Sequence, residues 1–133
     1  MSPAARSAAW DHWYRRALPA YWVFLFCATH LPRLELGLPL RASDKITHGV
    51  AFGLLAYLYV KFAESFQRRP ARFAWSAAGV LLAYAAIDEY SQRFVGRQSD
   101  LLDWLSDALG ILVVLAAMRW RRRAGADGQP RRP

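Results

Sequence analysis

Four apolar stretches alternate with short polar connections along this chain. They cover residues 17–31, 46–60, 73–87 and 101–118, each about 15–18 residues long. Each is apolar on nearly all faces and lacks a period-two alternation, the pattern of buried or lipid-facing helices rather than half-exposed strands. A soluble four-helix bundle needs a polar stripe on every helix, and none is present here. Crossing a hydrocarbon core of about 30 Å takes roughly 20 residues, so each stretch reaches that length with a turn of flanking polar residues. The expected fold is an all-α membrane bundle of four transmembrane helices. Pro32, Gly37 and Pro39 break the pattern after the first stretch, and Arg68, Arg69 and Pro70 separate the second from the third. Gly96 follows the third, and Ser99 or Asp100 can cap the fourth.

Composition narrows the picture. Hydrophobic residues at 55% and aromatics at 14% exclude disorder and exceed what a soluble domain of 133 residues can hide. A single cysteine, Cys27, excludes a disulfide framework, and three scattered histidines draw no Cys/His zinc pattern. Arg15 and Arg16 precede the first stretch as in a signal peptide. No small-x-small cleavage site follows it, so an uncleaved helix is expected. The resulting organisation is a cytoplasmic N-terminal segment over 1–16, a membrane domain over 17–118 and a basic cytoplasmic tail over 119–133, expected to be disordered.

The net charge of +8 is unevenly placed, and its placement gives an orientation. Arg6, Arg15 and Arg16 precede the first helix. Lys61, Arg68, Arg69 and Arg72 surround the second connection, and Arg119, Arg121, Arg122, Arg123, Arg131 and Arg132 lie in the tail. These are thirteen of the eighteen basic residues, and all fall on one side of an even-numbered bundle. By the positive-inside rule both termini belong in the cytoplasm of a multi-pass protein of the cell membrane. The Arg121–Arg123 run then reads as a topology signal and a contact for anionic lipid, not as a nucleic-acid site. Trp10, Trp13, Tyr14 and Trp120 are expected as interfacial anchors, and Gly49, Gly53, Gly79 and Gly110 as places of close helix packing.

Seven of the ten acidic residues gather at the opposite side, and three polar groups there carry the candidate chemistry. Asp44 and His48 are four apart at the start of the second helix, with Lys45 between them. Glu89 and Gln92 share a face at the end of the third. Asp100, Asp103, Asp107 and Gly110 form one stripe at the start of the fourth. Asp107 lies about two turns into an apolar run, where an ionisable group costs roughly 2.5–3.5 kcal/mol unless paired or hydrated. His48, Lys45 and Arg97 are its candidate partners. Asp100 and Asp44 also have a plain role, since acids stabilise helix N-termini. Glu89, His48 and Asp103 are the candidate catalytic residues. His48, Glu89, Asp103 and Asp107 offer nitrogen and oxygen ligands to a divalent cation, the one cofactor considered, without a recognised metal spacing. His12 and His30 stand alone and receive no role.

This combination resembles the VanZ-like family of small membrane proteins. Asp44, Lys45 and His48 match its Asp-Lys-x-x-His opening, and Glu89 and Gln92 match its Glu-x-x-Gln helix end. Arg97, Asp103 and Gly110 fit the following Arg and the Asp and Gly of its last helix. Asp107 stands where the family usually has Asn, which exchanges a neutral amide for a potential charge. The resemblance covers residues 20–118 and implies an envelope membrane protein, the founding member being an accessory glycopeptide-resistance protein that reduces susceptibility to teicoplanin. It does not imply resistance for this chain.

Three functions are compatible with these residues. An outward-facing polar cluster can bind a lipid, a lipid-linked envelope precursor or a partner helix, including one from a second copy in a homo-oligomer. Alternatively, a membrane-embedded hydrolase or transferase can use Glu89 or His48 as general base on a lipid-linked substrate. However, Ser91, Ser99 and Ser106 show no base-and-orienter arrangement in the sequence. A proton or ion path through Asp107 is the third. The orientation is directly testable: in a Cys27→Ser background, Gln98→Cys should react with an impermeant thiol reagent added outside intact cells, and Arg69→Cys should not. The reverse labelling would invert the topology.

Overall fold

The computed structural model describes residues 3–31, 41–66, 70–96 and 100–127. They form four long helices: α1 (Pro3–His30), α2 (Arg41–Glu64), α3 (Pro70–Ser91) and α4 (Leu101–Asp127). A single 3-10 turn (Gln92–Val95) extends α3. Among the described residues there is no strand. The expected breaks at Pro32, Gly37, Pro39, Arg68, Arg69 and Ser99 lie outside the described residues. Pro70 opens α3, where its missing N–H costs nothing, and Gly96 ends the 3-10 turn in the left-handed region at φ 76°.

Two boundaries differ from the expected ones. α1 begins well before residue 17, because the Ala- and Arg-containing N-terminal segment favours helix. α4 continues past Met118 to Asp127, so the first part of the basic tail is helical rather than disordered. Arg and Ala are strong helix formers, and Arg122 forms an ion pair with Glu64 at the end of α2. Two segments, Lys45–Glu64 and Leu101–Gly125, are long and apolar enough to cross a membrane. Val23 and Phe24 on α1, Val50 on α2, and Leu109 and Val113 on α4 are all more than half exposed. An apolar surface of this kind suits lipid far better than water.

Neighbouring contacts show the helices running up and down in turn. Tyr21 Oη donates to the Ala51 carbonyl (3.0 Å), while Tyr14 and Tyr57 share a hydroxyl hydrogen bond, so α1 and α2 are antiparallel. α2 and α4 are parallel and pack most closely. The backbones nearly touch along this seam: a Cβ at Gly110 would overlap the Gly49 carbonyl, and one at Gly49 would lie 3.0 Å from the Ser106 carbonyl oxygen. Gly79, expected at a similar contact, faces open space instead. Phe52, Leu55, Leu81 and Ile111 are fully buried at the centre of the bundle. Two polar layers bracket this core. The one at the C-terminal ends of α2 and α4, reached by Arg15 of α1, contains Arg15, Lys61, Glu64, Ser65 and Arg122, with the Arg15 guanidinium 4.1 Å over the Phe66 ring.

The seam makes a sharp prediction. Gly110→Ala should force α2 and α4 apart and cost roughly 1–3 kcal/mol, as overpacking does, measured by thermal unfolding in detergent micelles. Gly79→Ala should leave the melting temperature unchanged or raise it. Equal behaviour of the two variants would show that the seam is not tightly packed.

Candidate functional site

The second polar layer is assembled from four helix ends: the C-terminus of α1, the N-terminus of α2, the C-terminus of α3 with its 3-10 turn, and the N-terminus of α4. Its core is deeply buried. His48, Asp88, Glu89, Gln92, Asp103 and Asp107 are each at most 7% exposed. Burial at this level requires partners for every carboxylate, and the structure supplies them.

On the α2–α4 side, Lys45 Nζ donates to Asp103 Oδ1 at 2.8 Å and to Asp100 Oδ2 at 3.0 Å. One turn deeper, His48 Nδ1 lies 3.2 Å from Asp107 Oδ1. Lys45 and His48 share a face of α2, and Asp103 and Asp107 share a face of α4. The parallel packing therefore stacks a lysine–carboxylate pair and an imidazole–carboxylate pair one above the other. An Asp107 carboxylate that accepts from Nδ1–H fixes the His48 tautomer and leaves its lone pair on Nε2.

On the α3 side, Glu89 Oε1 accepts the backbone N–H of Asp100 at 2.5 Å. The α3 carboxylate thereby holds the entry to α4, where negative charge is favoured. Asp100 also caps α4 itself, its Oδ1 accepting from Leu102 N–H at 2.9 Å. Gln92 Nε2 bridges Glu89 Oε2 (3.4 Å) and Asp88 Oδ2 (3.3 Å). Asp88 Oδ1 further accepts from Thr29 Oγ1 (3.1 Å) and Tyr84 Oη (3.2 Å).

The structure therefore places Lys45, His48, Glu89, Gln92, Asp103 and Asp107 in one layer. The Asp44 side chain and all of Arg97 lie outside the described residues. Among the described residues, no three His, Cys, Asp or Glu side chains come together in a way that would hold a metal ion. His48, Glu89, Asp103 and Asp107 are instead engaged in the separate hydrogen bonds above.

Sequence reasoning missed Asp88, Thr29, His30 and Ser91. Asp88 is only 1% exposed, and its adjacency to Glu89 carried no sign of which of the two would be buried. His30 Nε2 lies 2.8 Å from Ser91 Oγ, and its Nδ1 lies 2.8 Å from the Phe26 carbonyl. The only available signal was that Thr29 and His30 form a polar pair at the end of an apolar stretch.

The family model described as VanZ/LLP1 matches residues 5–122. No curated protein and no solved structure matches the chain.

The buried imidazole pair can be tested by exchange of its acceptor. Asp107→Asn keeps an acceptor for His48 and should melt within about 1 kcal/mol of the parent. Asp107→Leu removes that acceptor from a buried N–H and should cost about 1–3 kcal/mol in the same unfolding assay. A leucine variant as stable as the parent would show that the pair does not support the fold.

Proposed function

From the premise that the chain belongs to the VanZ/LLP1 family, we propose that it is a multi-pass protein of the cell membrane whose polar layer faces outward. In this reading the layer binds the head of a lipid or lipid-linked envelope precursor. The orientation rests on the placement of thirteen of the eighteen basic residues at the other side.

The observation that carries the reading is the continuity of the layer with an apolar groove. A groove of about 710 Å³ runs down the α2–α4 seam from Lys45, between Gly49, Val50 and Leu54 of α2 and Leu109 and Val113 of α4. From Lys45 to Tyr57 a helix rises about 18 Å, close to the depth of one leaflet, about half of a 30 Å hydrocarbon core. The groove owes its depth to the same glycines that bring the helices together. A headgroup at its mouth meets both signs of charge. The Lys45 ammonium suits a phosphate, while Asp100 beside it, its side chain about half exposed, accepts from the hydroxyls or amines of a donor-rich head. An amphiphile with one chain in the groove and its head at Lys45 satisfies both features at once.

The test is lipid retention by the full-length protein in mild detergent, read by native mass spectrometry. Val50 is exposed and lines the groove, so Val50→Trp should fill it without disturbing the core and lower retained lipid several-fold. Lys45→Gln should reduce retention of phosphate-bearing lipid more than that of neutral lipid. Retention unchanged in both variants would overturn the reading.

A further inference from the structure

Ser91 and His30 form a nucleophile–base pair that the binding reading neither uses nor requires. A backbone carbonyl only accepts, so the 2.8 Å contact between His30 Nδ1 and the Phe26 carbonyl oxygen fixes a proton on Nδ1. A neutral imidazole then carries its lone pair on Nε2, the atom 2.8 Å from Ser91 Oγ. Of the two acceptors within reach of the Ser91 hydroxyl, the Asp88 carbonyl at 2.8 Å and His30 Nε2 at 2.8 Å, the nitrogen is the basic one. The base is itself held in place. Its ring stacks on Phe26 with centroids 4.1 Å apart, and Thr29 Oγ1 and Asp88 Oδ1 lie 3.1 Å and 3.9 Å from Nδ1. Nucleophile, base and a group that orients the base are thus arranged within hydrogen-bond reach.

The surroundings define the substrate class. Both residues are partly exposed at the end of the bundle. Phe26 on α1 and Leu31 just past its end, Ile87 and Tyr90 on α3, and Phe94 in the following turn present exposed apolar side chains close to them in the chain. An amphiphile at the membrane boundary fits such a collar, and a soluble polar substrate does not. We propose that Ser91 is an acyl-transfer nucleophile and His30 its general base, acting on a carboxylic ester of an amphiphile. Ser91 Oγ forms a bond to the ester carbonyl carbon as its proton passes to His30 Nε2. The carbon–alkoxide bond breaks, and the departing alcohol takes that proton. Water, giving a proton to the same nitrogen, then bonds to the acyl carbon; the bond to Ser91 Oγ breaks, Oγ takes the proton back from Nε2, and the carboxylic acid is released.

The test uses the full-length protein in micelles with an alkyl fluorophosphonate, and peptide mass spectrometry reads the adduct. The expected result is an adduct on Ser91 that is absent in Ser91→Ala, at least tenfold slower in His30→Gln and unchanged in Ser106→Ala. His30→Gln retains a donor for the Phe26 carbonyl, and its helicity and melting temperature show whether it is folded. Failure of the folded parent protein to label Ser91, or equal labelling rates in folded His30→Gln, would overturn the proposal. Ser91→Ala should retain lipid as the parent does, so loss of labelling is distinguishable from loss of the amphiphile site.

Discussion

The close approach of α2 and α4 is the constraint on which both the fold and the polar layer depend. With Gly110 against the Gly49 carbonyl, the two helices have essentially one register. A slip of one turn, about 5.4 Å, would bring side chains into the seam and separate Lys45 from Asp103 and His48 from Asp107. Both ends of the seam enforce the same register, since Glu64 pairs with Arg122 at the far end. Buried charges contribute little net stability when paired but cost several kcal/mol when one partner is lost. The pairs therefore act mainly against wrong registers, while close packing holds the helices together, as expected where lipid replaces water around them.

The helices and the α2–α4 half of the layer were legible in the sequence because they follow helical periodicity. Lys45 and His48 are three apart, Asp103 and Asp107 four apart, and each pair must share a face. Asp107 stood out because an ionisable side chain in an apolar run needs a partner, and His48 is that partner. The limits of the helices were less legible. Propensity continues α4 through its arginines, whereas charge and glycine content suggested an end. The role of Gly79 was not legible either, since a glycine faces a neighbour or open space according to helix rotation, which packing alone decides.

The α1–α3 half was opaque for a different reason. Asp88 and Glu89 are successive residues, about 100° apart around the helix, and a face argument that buries one exposes the other. Both are buried because different elements cover them: α1 brings Thr29 over Asp88, and the entry of α4 closes over Glu89. Likewise His30 meets Ser91 across 61 positions of sequence. No local spacing announces such a contact, because it exists only once two hairpins have packed.

The two halves also solve the problem of buried negative charge differently. Asp103 and Asp107 face a lysine and an imidazole, whereas Asp88 and Glu89 are held by neutral donors: Thr29, Tyr84, the Gln92 amide and a backbone N–H. Neutral dipoles satisfy a carboxylate's lone pairs without cancelling its charge, so the layer keeps an excess of acceptors toward its interior and its lysine at the rim. With Asn at position 107 the interior would carry one acid fewer, while His48 would keep an acceptor across the seam.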